Sequence, residues 1–416
     1  MLLKKIIVAV SVLLMSTCSH AEKVNLESFA KNLDSIAIGV LPFTSSDNKT
    51  QTVLEPEAII AEDLGFSGRF SVSSIDKSDA SQFKQKNIPL YIGGSYHVDG
   101  QSVTLSCYVR ATDGDQKLME RKYEGSFETF RTMAHRFSNE VLHVIFSEQG
   151  DCESKILFVK DNGAVKNVMV MDYDGYNQRQ LTFNNTLTIY PASADATSFM
   201  CTTFIRGHSD IARGSLTGGG LHILTAACTR ASETSPAVSP IDGKIVFASS
   251  RTGNMDIFVC NADGSNVKQL TFNSSIETAP CWSPNGSQIA FTSDRGGSPQ
   301  IYVMDANGGN AHRITFEGGY QDSPAWSPKG DRIAYMSQSN GEFNIWTINS
   351  DGSNPIQLTT NPGSNEYPSW SPNGRHIVFS NKKGKASNLY AIMADGTHLR
   401  KLTNNGNVKM PDWSPY

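Results

Sequence analysis

At 416 residues, with 39% apolar and 18% charged side chains, the chain has an ordinary globular composition and length enough for two or three domains. Its net charge is −4 and no lysine- and arginine-rich block stands out, which argues against nucleic acid as the main partner. Thirty-four glycines, many in Asn-Gly and Asp-Gly pairs, point to tight turns between antiparallel strands and away from a mostly helical fold.

Lys4 and Lys5 precede an apolar run, residues 6–15, and Ser19-His20-Ala21 offers small side chains where a signal peptidase reads. The expectation is a signal peptide, residues 1–21, cleaved after Ala21. The run is about half the roughly 20 residues of a spanning helix, and Met15-Ser16-Thr17 before Cys18 makes a poor lipidation site. Cleavage would remove two lysines and leave a mildly acidic chain with Cys107, Cys152, Cys201, Cys228, Cys260 and Cys281. Six cysteines in an oxidising compartment allow up to three disulfides or, equally, buried thiols in strands; none has CxxC metal spacing.

Residues 22–150 show no repeat and read as a small α+β domain. Residues 22–34 are weakly patterned and are expected to form a mobile arm. Strands are expected at 36–40, 90–97, 102–110 and 117–123, with a helix over 57–64. Asp99-Gly100 and Asp113-Gly114 mark hairpins. Phe130, Met133, Ala134, Phe137, Val141, Val144 and Ile145 fall on one face of a second helix.

Periodicity governs residues 151–416. Trp282-Ser283-Pro284 recurs at Trp326, Trp370 and Trp413, spaced by 44, 44 and 43 residues. Val238-Ser239-Pro240 and Ala192-Ser193 mark two eroded copies. Apolar runs such as Ile289-Ala290-Phe291 and Ile301-Tyr302-Val303 follow each Trp position, then Asp-Gly or Asn-Gly turns. Leu-Thr or Ile-Thr closes each copy, at Leu181, Leu224, Leu270, Ile314, Leu358 and Leu402. Four short strands in about 44 residues are a β-propeller blade. The expected fold is therefore mainly β, a six-bladed β-propeller after a small α+β domain. The C-terminal Trp413-Ser414 strand is expected to complete the blade begun by Ile156-Leu157-Phe158, which removes exposed sheet edges.

No catalytic constellation accompanies the repeats. Gly-x-Ser-x-Gly, HExxH, a P-loop and a GxGxxG after a strand are all missing from the sequence. Asp172-Tyr173-Asp174-Gly175 begins like a calcium loop without the remaining ligands. The expectation is no enzyme, metal or cofactor. A lactonase-like channel metal and a channel binding a small ligand are the alternatives. Polar residues before the inner strands are expected to converge on one mouth of the channel and grip a partner: Glu233, Thr234, Glu277, Thr278, Ala279, Asp322, Asn365, Glu366 and Tyr367. The repeated tryptophans read as packing.

These features, with Ile38-Gly39-Val40-Leu41-Pro42-Phe43, Asp172-Tyr173-Asp174-Gly175-Tyr176-Asn177-Gln178, Arg313-Ile314-Thr315-Phe316-Glu317-Gly318 and the terminal Trp413-Ser414-Pro415-Tyr416, resemble the TolB family. The resemblance implies a monomeric, non-catalytic periplasmic scaffold, peripheral to the outer membrane through its partner. It implies binding of the peptidoglycan-associated lipoprotein Pal at a propeller mouth and of the inner-membrane protein TolA through the mature N-terminal segment. It also implies a role in outer-membrane integrity and constriction at cell division. The family's Thr-Glu-Pro is here Thr278-Ala279-Pro280, so Glu277 becomes the candidate acidic group. The arm residues Glu22, Lys23, Val24, Asn25, Leu26 and Phe29 alternate only in part and depart from the family's strand-adding pattern.

Overall fold

The computed structural model describes residues 35–45, 54–75, 79–225, 231–404 and 406–414. Two compact units divide the chain between Gly150 and Asp151. The expected signal peptide and arm lie outside the described residues. No helix among the described residues is long and apolar enough to cross a membrane.

In the first unit β1 (Ile36–Val40), β2 (Thr44–Ser45), α1 (Pro56–Phe66), β3 (Phe70–Ser74), α2 (Ser81–Gln85), β4 (Leu90–Asp99), β5 (Ser102–Ala111), β6 (Lys117–Ser126) and α3 (Phe130–Phe146) follow one another. The sheet order is β3-β1-β4-β5-β6, with β1 parallel to both neighbours and β4, β5 and β6 an antiparallel meander. Ile38, Ile92 and Leu105 of the sheet meet Ile60 and Leu64 of α1 and Phe137 and Val141 of α3 in one core. Pro56 begins α1, where its missing N–H deprives no partner. A Cβ on Gly39 would lie 2.6 Å from the Phe83 ring, so the small residue lets α2 approach β1. The sequence reading did not anticipate β3 and α2. Phe70-Ser71-Val72-Ser73-Ser74 is too serine-rich to signal a strand, and α2 is a single turn and a half.

The second unit is six four-stranded antiparallel sheets. Blade 4 is representative, with strands Glu277–Trp282, Gln288–Ser293, Gln300–Asp305 and His312–Arg313 from the channel outward. Blade 1 takes its inner strand, Val408–Ser414, from the C-terminal end and its other three from Lys155–Asp161 onward, so the ring is closed as expected. The core lies between blades. Val246 and Ile257 of blade 3, for example, pack with Trp282, Ile289 and Phe291 of blade 4.

Two repeated signals have local causes. In all six blades the threonine of the closing pair accepts the backbone N–H of the third strand fourteen residues earlier. Thr315 thus takes Ile301 N–H at 2.9 Å and Thr225 takes Ile211 N–H at 3.0 Å. That satisfies a donor left where the short outer strand departs. The glycines of the Asp-Gly and Asn-Gly turns have positive φ and press on the preceding blade; a Cβ on Gly264 would lie 2.5 Å from the Leu224 carbonyl oxygen.

Cys107, Cys201, Cys260 and Cys281 are free thiols, and Cys228 lies outside the described residues. Burial pushes the thiols of Cys260 and Cys281 up to about 12.

Candidate functional site

Every inner strand carries the same irregularity near its start. Tyr190, Ser235, Ala279, Ser323, Tyr367 and Met410 have φ between 48° and 58°, each stands before a proline, and each interrupts the pairing register of its strand. Left-handed backbone costs a non-glycine residue about 1–2 kcal/mol. Six such residues around one ring form a strained collar, and a bulge of this kind re-aims side chains at a rim.

The collar frames a cavity of about 360 Å³ at one mouth of the channel. Tyr190, Ser235, Ala279, Ser323 and Tyr367 line it, as do Thr234, Thr278 and Asp322 just before three of the bulges. Connections between the second and third strands add Asp294 and Pro299, and connections between blades add Ile276 and Tyr320. Asp322 accepts the Thr292 hydroxyl at 2.8 Å and the Ser323 amide at 2.6 Å. Burial pushes its carboxyl above the usual range. The Tyr190 and Tyr367 rings meet edge to face with centroids 6.2 Å apart, and burial raises both hydroxyls. Two carboxylates and three tyrosines are the titratable groups of this lining, with no histidine, lysine or cysteine among them.

Of the nine expected mouth residues, Thr234, Thr278, Ala279, Asp322 and Tyr367 reach the cavity and four do not. Glu233 and Glu277 are wholly buried inside their blades, which corrects the expectation that they face a partner. Glu277 pairs with Arg295, whose guanidinium lies over Phe291 and Tyr302 at 5.5 and 4.8 Å; Asn273 donates to the same carboxylate at 2.7 Å. Glu233 pairs with Arg251 in the same way over Phe247 and Phe258. Glu277 therefore cannot replace the family's acidic residue at the Ala279 position. Asn365 is buried among Asn344, Asn361 and Asn381, and the half-buried Glu366, whose carboxyl burial raises, lies outside the cavity lining. The arm residues 22–29 lie outside the described residues.

The sequence reading missed Tyr190, Ile276, Asp294 and Tyr320. Tyr190-Pro191 matches Tyr367-Pro368 and would have aligned the second blade by its proline. That register puts Ser193, not Ala192, at the tryptophan position, since Ser193 faces Phe199 as Trp282 faces Ile289. Also unread were the phenylalanines after the closing pairs. Phe272 and Phe316 are 78% and 72% exposed and, with Ile276, sit on the connections that enter this end of the propeller.

The molecule thus contains a closed six-bladed propeller with a strained collar and an acidic, tyrosine-lined mouth. The TolB beta propeller domain matches residues 143–416, and the chain belongs to that family. It is 33% identical over 237 residues, 52% of each chain, to a TolB homolog of Chlorobium chlorochromatii. To the Tol-Pal system protein TolB of Geobacter metallireducens it is 32% identical over 152 residues, 34% of this chain and 35% of that one. The matched part thus spans about a third to a half of these curated relatives. TolB from Acinetobacter baumannii has the same fold, with a TM-score of 0.77 at 24% identity over 91% of this chain and 96% of that one.

Proposed function

We propose that this chain is a periplasmic, non-catalytic scaffold of a Tol-Pal system. Its propeller mouth binds a Pal-like lipoprotein at the outer membrane. Its mature N-terminal segment couples to a TolA-like inner-membrane protein, and the assembly supports outer-membrane integrity and constriction at division. The observation that carries this reading is the convergence of Thr278, Asp322 and Tyr367 in one open cavity of a TolB-family propeller. The relatives named as Tol-Pal proteins supply the partner class.

A capture experiment with residues 22–416 against outer-membrane and periplasmic extract of the source organism tests it. Recovery of a Pal-like lipoprotein is expected, with loss of capture for Thr278→Arg, which fills the cavity while leaving the blade core untouched. Failure of the parent chain to recover any such lipoprotein would overturn the reading. Deleting residues 22–33 should leave lipoprotein capture intact and remove TolA-like capture. Loss of the lipoprotein from the folded deletion variant would show that the two sites are not separate.

A further inference from the structure

The mouth cavity has an unbalanced charge. Asp294 and Asp322 line it and no basic side chain does; nearby, Arg295 is paired with Glu277, Arg251 with Glu233 and Lys409 with Asp161 at 2.6 Å. Asp322 Oδ1 accepts two hydrogen bonds, whereas Oδ2 has only the Tyr320 hydroxyl at 3.5 Å, which leaves acceptor capacity on a half-buried carboxylate. Beside it stand the rings of Tyr190 and Tyr367, set at 67° to one another. A cation within about 6 Å of a tyrosine ring is attracted by its face. We propose that this cavity receives a cationic side chain, the ammonium of a lysine or the guanidinium of an arginine, carried by the protein that docks on the mouth.

The alternatives fit the lining less well. An anion would meet two carboxylates and no basic side chain, and a neutral apolar group would cover the half-buried Asp322 charge without compensating it. Burial already raises the Asp322 carboxyl with no counter-charge among its causes, and a bound cation would reverse that shift. A protein as the carrier is favoured by the rim. Phe272, Ile276 and Phe316 are exposed at the same end, an apolar collar that a free amine would leave uncovered. A buried ion pair encircled by apolar contacts is the arrangement of an interface hot spot. The identity of the carrier rests on the scaffold reading above; the cation preference does not.

The test titrates residues 22–416 with n-butylammonium, methylguanidinium and neutral n-butanol, following the tyrosine resonances, then repeats the titration with Asp322→Asn and Tyr367→Leu. Asp322→Asn keeps the size of the side chain and an acceptor for Thr292 and Ser323, and an unchanged melting temperature confirms its fold. Binding of the two cations but not of butanol, weakened at least tenfold by Asp322→Asn, is expected. Equal responses to butanol and butylammonium, or cation binding indifferent to both substitutions, would overturn the cage. A second arm measures the purified lipoprotein domain against the same variants. Weaker binding by Asp322→Asn and displacement by butylammonium support a protein-borne cation. If the lipoprotein binds parent and Asp322→Asn alike and butylammonium does not compete, the cage assignment fails while the scaffold reading stands. If the amines bind through Asp322 but no lipoprotein does, the cation preference survives and its assignment to a docking protein is refuted.

Discussion

Blades 4 and 2 occupy equivalent places in one ring and share little of the repeat's conspicuous chemistry. Blade 4 has Trp282, the Asn307-Gly308 turn and the buried Glu277–Arg295 pair. Blade 2 has Ser193 at the tryptophan position, Thr188 at the glutamate position, and an Asp195–Arg213 pair at the surface, with side chains 42% and 38% exposed. Both form complete four-stranded sheets. What they keep in common is the left-handed residue before proline and the threonine cap on the third strand. The difference teaches that the blade is specified by its backbone devices, while tryptophan and Asp-Gly refine the joints between blades. It also frees blade 2 for another task. Ser193 donates its amide and hydroxyl to Asp412 of the closing strand at 2.8 and 2.6 Å, and Ser369 of blade 6 reaches the same carboxylate at 3.4 Å. Three blades are thereby tied at the seam of the ring.

The largest contrast should come from the arginines. Arg295→Met leaves the Glu277 carboxylate buried and unpaired, and should destabilise the propeller by about 3 kcal/mol. Arg213→Met, at an exposed pair, should change stability by less than about 1 kcal/mol. Urea midpoints of the two variants decide this, and equal losses would break the distinction between the blades. Next come the threonine caps. Thr315→Val and Thr225→Val each strand a backbone donor, and each should cost about 1–2 kcal/mol. A cost confined to blade 4 would mean that blade 2 is held by something other than the shared devices.

Ser193→Ala should cost about 1 kcal/mol, seen as faster amide exchange over residues 408–414 and not in blade 4. The smallest effect concerns pH. Burial raises the Asp412 carboxyl above its ordinary 3.8, although the Ser193 and Ser369 hydrogen bonds oppose the shift. The folded state then binds the proton more tightly, so this group's contribution is full below pH 3.8 and is lost as pH rises through the folded pKa. Asp412→Asn should flatten that fall in a pH series of urea midpoints. An unchanged slope would assign the seam's pH response to another group.

The ring was legible because it is periodic. Six closing pairs and the split first blade fix blade number and closure from spacing alone. The mouth was less legible for a geometric reason. Spacing places Glu277 and Thr278 side by side at the start of an inner strand, but successive strand residues point to opposite sides, so Thr278 lines the cavity and Glu277 turns into the blade. A signal for this was present. Where glutamate starts the inner strand, arginine follows eighteen residues later, at Arg251 and Arg295. Where Gln321 takes that place, the corresponding residue is Ser339. Tyr190 escaped because the second blade was aligned on its missing tryptophan, although its proline is intact.

The central claim, that the collar mouth is the docking face, is tested most directly by the amide-exchange footprint of a Pal-like lipoprotein domain on residues 22–416. Protection is expected at residues 189–190, 234–235, 276–279, 320–323 and 367, with the outer strands and residues 35–150 exchanging as in the free protein. Protection confined to the outer strands, to the Ser-Pro-Asn-Gly turns at the opposite end or to residues 35–150 would contradict it.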